Sequence, residues 1–224
     1  ALESWTVDGT EQCSANFGQS AFWTPGKNGM VVNSNYRVTD QKISAEGLQV
    51  TAEFTTTVRS YPQLAGLKII KTVSLSSDLK QVAFEVKLNN TQAVAMNDVG
   101  YRWSFIPAAW NNLNRGTVEN NGRKFQRPNT YTLLSANCDP ASEQLMRRLF
   151  NVKNPTLKIK GNLFRLVIPG KSVMQATFLP AEQFAGVAVW DTANMLAATF
   201  EPFYRPALIA PGGDISFSAQ FKAE

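Results

Sequence analysis

An all-β fold, a large antiparallel β-sandwich with at most one or two short helices, is predicted by three observations. Short apolar or β-branched runs recur along the 224 residues; Gly, Pro, Asn and Asp bound them; and in several runs apolar and polar side chains alternate. Trp5, Phe22 and Trp23, with WTPGKNG beginning at Trp23, read as an aromatic strand end followed by a Pro-Gly turn. They form either a sandwich edge or a sugar platform. KISAEGLQVTAEFTTTV (42–58), LKIIKTVSLSS (67–77), KQVAFEVKLNN (80–90) and VGYRWSFIP (99–107) follow as strands. Val82, Phe84, Val86 and Leu88 share one face of the third run, and Ala83, Glu85 and Lys87 take the other.

Residues 111–130, NNLNRGTVENNGRKFQRPNT, lack periodicity and predict a long loop or irregular hairpin. A single helix is predicted over 139–150: Asp139 caps it, Pro140 takes the first helical position, and Leu145, Leu149 and Phe150 share a side. Strands resume at TLKIKG (156–161), NLFRLVIP (162–169), KSVMQATFLP (171–180), AGVAVWD (185–191), MLAATFE (195–201) and DISFSAQFK (214–222). In the last, Ile215, Phe217, Ala219 and Phe221 form the inward row. Half-buried strands of this kind belong to antiparallel sheets packed face to face. No repeat or linker divides the chain, so one domain over 1–224 is expected.

Composition narrows the function. Hydrophobic residues make up 44% and charged residues 17%, as suits a compact sheet protein. Apolar runs such as AGVAVW (185–190) are far shorter than the roughly 20 residues of a membrane-spanning helix, so no membrane span is expected. The net charge of +5, from 22 basic and 17 acidic residues, is a mild excess without a basic run. With no nucleic-acid-binding motif present, nucleic acid is not an expected partner. The chain contains no histidine, which excludes Ser-His-Asp and Cys-His nucleophiles, HExxH zinc chemistry and any imidazole base. Glycine-rich phosphate loops and EF-hand loops are absent from the sequence too. Neither a cofactor nor a metal is expected.

Cys13 and Cys138 are the two cysteines, without metal-like spacing. They are read either as a free pair or as a disulfide joining the N-terminal segment to a mid-chain loop. The opening ALESW, without an initiator methionine, fits a mature product whose signal peptide has been removed or a trimmed chain. An exported protein, periplasmic or extracellular, is the expectation.

Two stretches carry a family resemblance. In LKIIKTVSLSSDLKQVAFEVKLNNTQAVAMNDVGYRWSFIPA, a strand, a turn with Ser77-Asp78, a strand ending in Asn89-Asn90-Thr91 and a strand with an aromatic end succeed one another. In TFEPFYRPALIAPGGDISFSAQFKAE, a strand, a glutamate, a loop, Pro-Gly and a final strand close the chain. Together, about a third of the chain, these resemble the galactose-mutarotase-like supersandwich domains of aldose epimerases, glycoside hydrolases and polysaccharide lyases. The resemblance implies a carbohydrate context. Epimerases of that family open the sugar ring with a histidine acid and a glutamate base. Glu201 falls like the late glutamate, but no histidine exists to accompany it. The resemblance therefore implies a non-catalytic relative.

The candidate ligand contacts center on GYRWSFIPAAWNN (100–112). Tyr101 and Trp103, two apart on one strand face, either fill the interior or form a platform for pyranose rings; Trp110 lies beyond Pro107, outside the strand. Arg102 points oppositely and is solvated if the aromatics are core. Arg115, Arg123, Lys124 and Arg127 are either a solvated loop or a clamp for the oxyanions of an acidic polysaccharide. Trp190-Asp191 and Glu201 would serve a glycosidase if the carboxylates flanked a sugar. Otherwise Asp191 opens a turn and Glu201 pairs with an arginine such as Arg205.

The leading expectation is a non-catalytic protein binding an oligo- or polysaccharide, acidic ones included. Trp103, Trp110 and Trp23 would stack on sugar, and Asn111, Asn112, Arg115 and Arg127 would supply polar contacts. The alternatives are a glycosidase using Asp191 and Glu201, a lyase using Tyr with Arg or Lys, and a structural or protein-interaction module.

Overall fold

The computed structural model describes residues 3–13, 17–24, 27–30, 36–56, 64–107, 116–126, 132–136, 138–168, 172–190 and 199–224. In chain order, β1 (Thr6–Val7) and β2 (Thr10–Glu11) form a small ladder, and β3 (Gln19–Thr24) pairs with β4 (Lys27–Met30). A meander follows in β5 (Arg37–Ser44), β6 (Gly47–Thr55), β7 (Leu67–Ser76) and β8 (Gln81–Asn90), and then β9 (Met96–Ser104). The hairpin β10 (Thr117–Asn120) and β11 (Arg123–Gln126) precedes β12 (Thr132–Ser135) and helix α1 (Pro140–Leu149). The remaining strands are β13 (Leu157–Lys158), β14 (Leu163–Ile168), β15 (Ser172–Leu179), β16 (Phe184–Trp190), β17 (Thr199–Tyr204), β18 (Ala207–Ile209) and β19 (Asp214–Ala223).

These strands build a nine-stranded sheet in the order β11, β10, β14, β15, β19, β8, β7, β6, β5. The facing sheet runs β13, β12, β16, β17, β9, β3, β4, with β18 added beside β9. All pairings are antiparallel except the short β12–β13 ladder. The predicted all-β antiparallel sandwich with one helix is the observed architecture.

Alternation places the core between the sheets. Val82, Phe84, Val86 and Leu88 are buried from β8, and Phe217, Ala219 and Phe221 from β19, while Glu85 and Lys87 face solvent. Against them β9 turns Val99, Tyr101 and Trp103 inward, and Phe105 follows just past its end. The rings interlock edge to face, with Phe105 and Phe221 centroids 4.5 Å apart and Trp103 and Tyr204 5.9 Å apart; Tyr101 lies parallel to Phe217 at 5.5 Å.

Three strand expectations differ in extent. The run at 42–58 is not one strand but the β5–β6 hairpin, turning at Ala45-Glu46. Gly47 supplies the reason: its φ is +135°, and a Cβ there would lie 1.9 Å from the Leu75 carbonyl oxygen. TLKIKG yields just the two residues of β13. Past it, Asn120 Nδ2 donates to the carbonyls of Lys160 and Leu163, and Asn120 Oδ1 accepts from the Lys160 amide at 3.1 Å, in place of a longer ladder. β17 runs through Pro202 to Tyr204 rather than stopping at Glu201. Only Phe203↔Arg102 is in register between β17 and β9, so the missing proline amide interrupts little of that ladder.

α1 forms as its sequence predicts. The Ser142 amide donates to Asp139 Oδ1 at 2.9 Å, and Pro140 begins the first turn. Hydrogen bonds from the Ser142 hydroxyl and amide hold the Asp139 carboxyl below its ordinary value. Asp139→Ala is expected to destabilise the protein by about 0.5–2 kcal/mol near neutral pH. Because the folded-state pKa is depressed, this stabilisation is present above the unfolded-state value, near pH 4, and is lost as pH falls through the lower folded value. Urea melts across pH 2–7 should show the variant and wild type converging at the acid end.

Both cysteines are free thiols, Cys13 buried and Cys138 partly buried. Burial, then the Glu11 carboxylate, pushes Cys13 up to about 12; burial, then Asp139 and Glu143, does the same for Cys138. Native protein should therefore resist iodoacetamide at pH 8, whereas denatured, unreduced protein should take up label at both cysteines by mass spectrometry. A missing label with a two-proton mass deficit would mean a disulfide instead.

Candidate functional site

The outer face of the smaller sheet carries an unusual set of side chains. β12, β16 and β17 turn Leu133, Ala185, Ala188 and Phe203 outward, and α1 covers them with Leu145 and Met146 while Phe150 and Val152 follow from its C-terminal end. This second apolar cluster places the helix against the sheet. Beside it β9 projects Arg102, and β17 projects Glu201 two residues before Phe203, on the same outward row.

Arg102 and Glu201 form a buried ion pair, Arg102 Nη1 lying against Glu201 Oε2, with side-chain exposures of 7% and 6%. Thr199, also buried, donates its hydroxyl to Glu201 Oε1 at 2.7 Å. The guanidinium carbon sits 4.7 Å from the center of the Phe150 ring. Charge, hydrogen bond and ring together close off the carboxylate: one oxygen faces the arginine and the other the threonine. Chemically this is a structural clamp between two central strands and the helix. A catalytic carboxylate needs an approach for its proton or its substrate atom.

An open groove of about 590 Å³ lies beside α1, at the end of the sheet where β9 begins. Asp98, Asp139, Leu145, Arg148, Gln183 and Arg205 line it. Among the described residues no group of His, Cys, Asp and Glu could hold a metal ion, and no helix is long and apolar enough to cross a membrane.

The expected site residues separate accordingly. Trp103 is 1% exposed and is enclosed by Tyr101, Phe105 and Tyr204, so it is core and offers no face to a sugar. Two sheets bury the inward row of β9, and that burial overrides the platform alternative. Arg102, expected in solvent once the aromatics are core, is instead buried under Phe150. Glu201 pairs with Arg102 rather than Arg205, whose guanidinium donates to the Glu182 carbonyl. Trp23 falls in β3, its backbone in register with Asn28 and Gly100, and β4 beyond it is a sheet edge.

Trp110, Asn111, Asn112, Arg115, Arg127 and Asp191 lie outside the described residues. The strand ends that flank them converge nevertheless. Thr117 is in register with both Gln126 and Val167; Thr132 is in register with Val189, and Val189 with Phe200. Five residues separate Gln126 on one sheet from Thr132 on the other, a reach of about 20 Å, so these ends share one end of the sandwich. In the basic segment, Lys124 pairs with Glu119 at 3.3 Å and Arg123 stacks on Phe125 at 4.8 Å. Both stabilise their own hairpin rather than forming a clamp.

Sequence reading paired Glu201 with an arginine but missed that the partner is Arg102 and that the pair is buried, and it missed the groove. One signal for the burial exists: AGVAVW is apolar on both faces, as a strand covered on both sides must be, and an amphipathic helix requires such a face to cover. The groove joins residues from four separated segments, a constellation without a local pattern.

No protein-family model matches the sequence, and no curated protein sequence matches it. Solved structures do resemble the fold. The galactose mutarotase related enzyme of Lactobacillus acidophilus superposes with a TM-score of 0.56 at 11% identity, covering 97% of this chain and 88% of that one. A galactose mutarotase-like protein of Lactobacillus casei gives 0.54 at 10% identity, over 93% and 83%. The alpha-N-acetylgalactosaminidase of Bifidobacterium bifidum, in complex with GalNAc, gives 0.62 at 8% identity. There the match covers 98% of this chain and 32% of the enzyme's, about a third of its length. At such identities the likeness is one of fold.

Proposed function

From its galactose-mutarotase-like supersandwich fold, which carbohydrate-related proteins share, we propose that this chain binds an oligo- or polysaccharide without transforming it. The observation that carries this reading is the closure of Glu201. The late glutamate that the family resemblance singles out is 5% exposed and held by Arg102 and Thr199, and the chain has no histidine to act with it. A glycosidase built on Asp191 and Glu201 would require that carboxylate to reach a sugar. A lyase would require a tyrosine on an open face; among the described tyrosines, Tyr101 and Tyr204 are fully buried and the Tyr36 hydroxyl is enclosed.

Trp110, Asn111, Asn112, Arg115 and Arg127 remain the proposed contacts, on segments whose flanking strand ends meet at one end of the sandwich. Stacking by Trp110 would supply most of the affinity, and Trp23 is a further proposed contact. Export of the protein to the periplasm or beyond is part of the proposal, and fractionation of the native host tests it. A glycan array followed by calorimetry tests the binding. Trp110→Ala is expected to weaken retention by about 1–3 kcal/mol with the melting temperature unchanged. Absence of retention on every glycan, together with recovery of a protein partner, would point to an interaction module instead.

A further inference from the structure

The groove beside α1 holds charges of both signs that do not neutralise one another. Among the described residues, Arg148 has no acidic partner, the Arg205 guanidinium donates to the Glu182 carbonyl and has no acidic partner, and Asp98 has no cationic partner, although all three line the same 590 Å³. Gln183 also lines the groove. Leu145 adds an apolar wall.

We infer that this groove is a second binding site, for a sugar residue carrying a carboxylate. The inference rests on the sugar-binding reading above and deepens it. Arg148 and Arg205 present guanidinium forks that match a carboxylate, Asp98 and Gln183 take ring hydroxyls, and Leu145 packs against the C–H face. The volume suits one or two sugar units. The groove lies at the other end of β9 from the one that leads to Trp110: Asp98 and Ser104 are six residues apart along the strand, or about 20 Å. A polysaccharide of alternating or clustered uronic acids would reach both sites at once, and each would raise the effective concentration at the other.

Calorimetric titration of the full chain with trigalacturonic acid and with a hyaluronan tetrasaccharide tests this, with neutral β-1,4-galactotriose as control. One acidic probe should bind, lose affinity as salt rises, and lose about tenfold or more in Arg148→Gln and in Asp98→Asn, with both variants melting as wild type. Acidic probes that bind wild type and Arg148→Gln equally, or that bind no better than galactotriose, would overturn the groove assignment. Retention of neutral glycans through Trp110 without uptake of either acidic probe would leave the sugar-binding reading standing and remove the groove. Failure of every glycan would remove both.

Discussion

Glu201→Leu is expected to destabilise the protein by about 3–5 kcal/mol, because it leaves the Arg102 guanidinium buried without its counter-ion. For a chain of this length that corresponds to a fall in melting temperature of roughly 6–20 °C. The cost comes from desolvating an uncompensated charge, so removing both charges should restore much of it. Arg102→Met combined with Glu201→Leu is expected to melt within a few degrees of wild type, since matched apolar replacement of a buried pair is often neutral. Equilibrium denaturation of Glu201→Leu, of Arg102→Met and of the double variant measures the coupling. A single Glu201 variant as stable as wild type would show that the pair does not hold α1 and the two strands together.

Trp103→Ala is expected to be similarly severe, about 3–5 kcal/mol, and for a different reason. Trp103 is among the largest fully buried side chains and touches Tyr101, Phe105 and Tyr204, so truncation removes apolar burial and leaves a cavity between rigid rings. Any loss of glycan binding in this variant should follow loss of fold. At temperatures where it stays folded, its affinity should equal that of wild type, while Trp110→Ala should lose affinity and keep its stability. A stable Trp103→Ala protein that no longer binds sugar would restore Trp103 as a ligand contact.

The fold was legible where local chemistry and tertiary demand agree. β8 and β19 alternate strictly because one face meets the core and the other meets water, so Phe84 and Glu85 could be assigned from spacing alone. Asp139-Pro140 encodes the helix start with a cap and a locked φ, and the helix begins there. Gly47 was less legible, since the apolar pattern continues across the 42–58 run and just one backbone angle makes it a hairpin.

The outer face was hidden for a physical reason. Alternation tells that Arg102 and Trp103 point oppositely, but it does not tell whether a second layer covers the outward side. α1 supplies that layer from about 40 residues further along the chain. The covering helix turned an arginine expected in water into half of a buried pair and withdrew Glu201 from solvent. Asp98, Gln183 and Arg205 likewise carry no mark in sequence, because the groove exists only when β9, the β15–β16 turn and the start of β18 meet the helix.

The central claim, binding without turnover, is tested most directly by saturation-transfer NMR and anomer-exchange spectroscopy on one sample of protein and its best-retained reducing glycan. The account predicts saturation transfer from protein to sugar protons, an anomer interconversion rate equal to that in buffer alone, and no new reducing ends or unsaturated products. Interconversion or cleavage faster than in buffer, and abolished in a folded Glu201→Gln variant, would contradict it.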